Sequence, residues 1–152
     1  MKKSLIIGFL VCLLVITACS NQKSSGIITT TQTETQNLKN FGENLNLRIG
    51  ESAFLQNGNV KLEVKFAGIK EDSRCAAGVV CVWQGQVVPT LQTFKDDKLI
   101  GNLSITYREG STAYGTDTFD QYTITIKDVQ PKPEASQQIK LSDYLVTLVV
   151  DK

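Results

Sequence analysis

Val60-Lys61-Leu62-Glu63-Val64-Lys65-Phe66 alternates apolar and charged side chains without a break. Successive side chains of an extended strand point to opposite faces, so this stretch reads as a β-strand with one buried and one wet face. A helix would scatter Val60, Leu62, Val64 and Phe66 around its circumference. Just before it, Asn57-Gly58 suits a tight turn, because both residue types tolerate a left-handed backbone.

The same period recurs outward in both directions. Leu45, Leu47 and Ile49 alternate with Asn46 and Arg48. Residues 82–94 form a longer extended segment, in which Pro89 lacks an N–H and so implies an edge position or a bulge. The polar turn Lys95-Asp96-Asp97-Lys98 leads into residues 99–107, where Leu103, Ile105 and Tyr107 share a face. Tyr122, Ile124 and Ile126 alternate with Thr123, Thr125 and Lys127. Tyr144, Val146, Leu148 and Val150 make a last strand, and Leu145 and Val149 indicate that both its faces are partly covered. No window carries a helical stripe. The expected fold is therefore all-β, an antiparallel β-sandwich or small barrel of about seven strands spanning residues 41–152. Residues 109–118 and 129–138 are its two long irregular connections.

The N-terminal region has a different composition. Lys2 and Lys3 precede an apolar run from Leu5 to Ile16, too short for the ~20 residues that span a bilayer but suited to a signal peptide. Ile16-Thr17-Ala18-Cys19 resembles the bacterial lipobox. That resemblance implies removal of residues 1–18, acyl chains such as palmitate on Cys19, and a lipid-anchored protein of the cell envelope. Ser20 after the cysteine points to the outer membrane if the host has one, with the domain facing the periplasm or the exterior. Residues 19–40 are rich in Ser, Thr, Gln and Asn and read as a lipidated cysteine followed by a disordered tether. A coil of that length spans ~25 Å.

Charge and cysteine content narrow the function. The whole chain carries a formal +1, which includes Lys2 and Lys3, so the processed chain is near −1. No basic excess is present to attract nucleic acid or anionic lipid, and the acyl chains would supply the membrane contact. Of the four cysteines, Cys12 leaves with the signal and Cys19 takes the lipid, which leaves Cys75 and Cys81 to form a disulfide in an exported chain. The chain has no histidine, which removes the commonest general base and the commonest metal ligand. No cofactor or metal site is expected. Asp96, Asp97, Asp117 and Asp120 match no calcium-loop spacing and read as solvated turn charges.

The densest local signal is Glu71-Asp72-Ser73-Arg74-Cys75-Ala76-Ala77-Gly78-Val79-Val80-Cys81-Val82-Trp83-Gln84-Gly85. It resembles the motif of a family of small exported bacterial proteins, usually lipoproteins, in which DSRCP and a short Gly-containing loop precede C-x-W-A-G. Gly50-Glu51-Ser52-Ala53, the prolines Pro131 and Pro133 after Val129, Ile139, and the Tyr144/Leu148 pair extend the resemblance over most of residues 45–150. Ala76 stands where the family has Pro, and Gln84 where it has Ala. The resemblance implies a fold and an exported location and carries no activity.

Physically the motif reads as a stapled corner. The disulfide closes a loop beside Trp83, expected to plug the core; Gly85 admits a close neighbour; Asp72 caps the turn; and Arg74 pairs with Asp72 or Glu71. The functional alternative is a recognition surface made of Asp72, Ser73, Arg74 and Gln84. No catalytic residue is assigned, and the leading expectation is a non-catalytic binding or structural module. Its partners would be the membrane, through Cys19, and an envelope protein or glycan. Two alternatives stand beside it. Gly110-Ser111-Thr112-Ala113-Tyr114 resembles the loop by which periplasmic lysozyme-inhibitor lipoproteins plug an active site, which implies an inhibitor of a secreted hydrolase. Glu109, Asp117 and Asp120 could instead supply a carboxylate pair for a hydrolase.

Overall fold

The computed structural model describes residues 38–152. The expected signal, Cys19 and most of the expected tether lie outside the described residues. The described chain is all-β, with one 3-10 turn at Leu141–Asp143. Its strands are β1 (Leu38–Lys39), β2 (Leu45–Arg48), β3 (Ser52–Asn57), β4 (Val60–Asp72), β5 (Val87–Lys95), β6 (Lys98–Ser104), β7 (Thr116–Phe119), β8 (Tyr122–Gln130) and β9 (Leu145–Asp151). There are nine rather than about seven. Two of the unexpected ones are short, and β1 pairs ahead of the expected boundary at Phe41.

The strands form a five-stranded sheet in the order β1-β3-β4-β5-β6 and a four-stranded sheet in the order β2-β9-β8-β7. All pairings are antiparallel except β1 with β3. Period two decides what lies between the sheets. Leu62, Val64 and Phe66 of β4 are fully buried, and they join Leu55 and Leu91 of their own sheet. Leu45, Ile124, Val146, Leu148 and Val150 belong to the same core from the other sheet. Phe41 stacks on Tyr122 at 5.5 Å between ring centroids and covers one margin of that core.

The turn chemistry follows the residues. Gly58, at φ 63°, closes the β3–β4 hairpin. Asp96 and Asp97, at φ 49° and 62°, close β5–β6, and Asp120, at φ 51°, closes β7–β8. Aspartate is among the few non-glycine residues that enter this region readily. These acidic residues are therefore turn formers. Pro89 faces Ile69 on β4 between two register shifts, Phe66/Gly68 and Ile69/Glu71, so the bulge reading of that proline holds. The bulged strand carries β4 past β3, whose Ser52 pairs with Lys65, on to Asp72. The loop 73–86 projects from that extended end.

Candidate functional site

The base of the 73–86 loop is pinned by one arginine. Arg74 Nε and Nη2 donate to the two carboxylate oxygens of Asp72 at 2.9 and 2.6 Å. Its Nη1 donates to the carbonyl of Val129 at 2.7 Å, and Nη2 also reaches the carbonyl of Pro131 at 2.9 Å. Tyr144 Oη donates to Asp72 Oδ2 at 2.8 Å, and the Arg74 main-chain N–H donates to Oδ1. Only 8% of the Arg74 side chain and 11% of the Asp72 side chain remain exposed. The planar guanidinium suits this role because it satisfies a carboxylate and two carbonyls at fixed angles. Burial pushes the Asp72 carboxyl up, but the hydrogen bonds from Arg74 and Tyr144 outweigh it and hold the group below its ordinary value. Burial and the neighbouring Asp72 carboxylate push the Tyr144 phenol up to about 12.

The loop itself is closed by the Cys75–Cys81 disulfide, with an S–S distance of 2.07 Å. Ser73 N–H donates to the Gln86 carbonyl and Cys75 N–H to the Gln84 carbonyl, so the two arms of the loop lie side by side. Gly85 sits between them at φ 73°, and a Cβ there would fall 1.9 Å from the Ser73 carbonyl oxygen. The expected close approach at Gly85 is thus a backbone contact that excludes every other residue. Ala77 N–H donates to the Pro133 carbonyl, which ties the loop to the segment after β8.

The structure corrects two expectations here: residues 82–86, read as the start of the extended segment 82–94, belong to the loop, with β5 beginning only at Val87, and the tryptophan among them lies outside the core. Trp83 does not plug the core: it is 81% exposed. The core between the sheets is filled by β4 and the facing strands without it, and residues 73–86 belong to no strand of either sheet. Val80 and Val82 are fully exposed beside it, and Val79 is half-exposed.

A cleft of about 420 Å³ runs beside the indole, lined by Glu71, Ser73, Gln84, Gln86 and Arg108 among others. Ser73 Oγ donates to Glu71 Oε1 at 3.0 Å, and Gln86 Nε2 donates to the same oxygen at 3.4 Å. Arg108 Nη2 donates to Gln86 Oε1 at 3.0 Å, and its guanidinium lies over the Tyr114 ring at 4.2 Å. Gln84 Nε2 donates to the Glu109 carbonyl. The four residues of the candidate recognition surface therefore divide. Ser73 and Gln84 lie exposed at the cleft, whereas Asp72 and Arg74 face inward and hold the corner together. Sequence reasoning missed Gln86, Arg108 and Tyr144. Only the strand position of Tyr144, at the head of the last alternating run, carried any signal.

The candidate carboxylates are held by separate partners. Glu109 pairs with Lys132 at 3.1 Å, Asp120 with Lys95 at 2.9 Å, and Asp117 Oδ1 accepts from the Thr118 N–H. Lys132 also pairs with Asp128 at 2.8 Å. Among the described residues, no group of three or more His, Cys, Asp or Glu side chains is placed to hold a metal ion. The expected 109–118 loop is shorter than its sequence suggested, since residues 116–118 belong to β7; its remainder folds back on the domain, with Gly115 N–H donating to the Thr106 carbonyl and Tyr114 held under Arg108. Comparison with protein-family models, with curated proteins and with solved structures gives no match.

Proposed function

We propose that this chain is a lipid-anchored protein of the cell envelope that acts by contact rather than by catalysis, as a binding or structural module. The observation that carries the reading is the presentation of Val80, Val82 and Trp83 in water on a disulfide-closed loop with a pinned base. Exposed apolar clusters on soluble domains mark interaction surfaces. A rigid loop loses little conformational freedom when it docks, so more of the contact energy appears as affinity. The lipobox-like Ile16–Cys19 and the motif around Cys75 and Cys81 support an exported, lipoprotein-like chain.

The test has two arms. Cells expressing the chain or its Cys19→Ser variant would be fed a tagged palmitate. Label on the parent alone, in the membrane fraction, is the expected result; equal label on both would overturn the anchor. In parallel, the purified chain and its Trp83→Ser variant would be exposed to envelope fractions. Retention that falls at least tenfold with the substitution is expected. Turnover of an envelope substrate, abolished by a single carboxylate substitution, would replace the reading with an enzymatic one.

A further inference from the structure

The exposed tip also has a direction. β1 runs parallel to β3, and β3 runs toward the Gly58 turn. β1, and with it the described chain, therefore starts on the side of the opposite end of the sheet, the end from which the disulfide loop projects. Leu38 pairs with Phe54, which pairs with Glu63, nine residues before the end of β4 at Asp72. That is about 30 Å of strand. Between Cys19 and Leu38 lie 18 residues. Fully extended they reach about 60 Å, and as a coil roughly 23 Å. A lipid on Cys19 can thus sit in a surface that the tip touches.

The chemistry of the tip matches such a surface. No residue from Cys75 to Phe94 is charged, and Glu71 and Arg108, the charged groups that share the cleft with the indole, lie outside the Val80–Trp83 tip. Val80, Val82 and Trp83 present branched apolar groups and an indole. Tryptophan is enriched where a protein meets the boundary between headgroups and acyl chains, because its ring is apolar and its N–H needs a polar partner. The backbone of the tip is irregular and could not enter hydrocarbon, which confines it to the boundary.

We infer that the Val80–Trp83 tip seats the domain on the lipid bilayer that holds its anchor, as a second, interfacial contact. The inference rests on the anchor reading above. It turns a domain that would swing on a tether into one held with its disulfide end against the membrane. The intramolecular contact needs only weak intrinsic affinity, because the tether keeps the tip at high local concentration.

Trp83 is the only tryptophan in the chain, so its emission reports on the tip alone. The test uses residues 19–152 made without lipid, with the Cys75–Cys81 disulfide intact and the Cys19 thiol coupled to a maleimide lipid. The carrier is a vesicle of phosphatidylethanolamine and phosphatidylglycerol whose acyl chains are brominated near the headgroups. The coupling supplies the tether whether or not cells lipidate Cys19, so failure here and failure of palmitate labelling are separate results. The expected result is blue-shifted emission quenched by more than half, unaffected by moderate salt and restored to a water-like spectrum by Val80→Ser with Val82→Ser. Water-like, unquenched emission from the vesicle-bound chain would overturn the inference. So would a shift that appears only when envelope protein or glycan is added, which would assign the tip to that partner instead.

Discussion

Replacing Arg74 by alanine tests the reading that one buried guanidinium holds the disulfide loop in place. The substitution leaves the Asp72 carboxylate with a single side-chain donor, Tyr144, and removes the donor to the Val129 and Pro131 carbonyls. Removing one partner of a buried ion pair costs about 3–5 kcal/mol. Asp72 keeps the Tyr144 hydroxyl and the main-chain N–H of residue 74, which places the loss near the lower end, about 3 kcal/mol. For a domain of this size that is a fall of about 12 °C in Tm. Arg74→Lys keeps the charge but cannot reach both carboxylate oxygens and two carbonyls, so it should lose roughly half as much. Urea unfolding followed by circular dichroism gives both numbers.

The pH dependence of that loss has a definite sign. The Asp72 carboxyl is held below its ordinary value, so its contribution is present above the unfolded-state value of about 4 and disappears as pH falls through the lowered folded-state value. The gap between parent and Arg74→Ala should therefore shrink on acidification. A loss under about 1 kcal/mol at neutral pH would place the pair among surface ion pairs and refute the reasoning.

Three further outcomes are expected. The Tyr144 phenol is pushed up to about 12, so the stability it contributes is full below its ordinary value of about 10 and is lost as pH rises from there; Tyr144→Phe should flatten this alkaline slope in unfolding measured across pH. Gly85→Ala combines a positive φ with a Cβ 1.9 Å from the Ser73 carbonyl, and should cost more than about 4 kcal/mol in the same urea assay. Trp83→Ser should change the unfolding free energy by less than about 0.5 kcal/mol, since the indole is 81% exposed, whereas a core tryptophan would cost several.

What the chain order alone determined is local. The period of Val60–Phe66 follows from the geometry of one strand, and it predicts the buried face of β4 without knowledge of any partner. The Asp96-Asp97 turn and the proximity of Cys75 to Cys81 are equally short-range, whereas the choice of Asp72 over Glu71 as the partner of Arg74 was open until the structure made it. β3 was harder to read because Phe54 breaks its alternation: the ring lies on the outer face under Lys61. Tertiary structure alone decided what depends on distant segments. Tyr144 reaches Asp72 across 72 positions, and Arg74 reaches Val129 and Pro131 across 55 and 57. Nothing in the residues near Arg74 announces those carbonyls, because main-chain acceptors have no residue type. The position of Trp83 is the clearest case. Its side chain and its disulfide neighbour suit a core equally well. Exposure was set by a property of the whole fold: β4 outruns β3, and the residues after it leave the sheet as a loop while other strands fill the core.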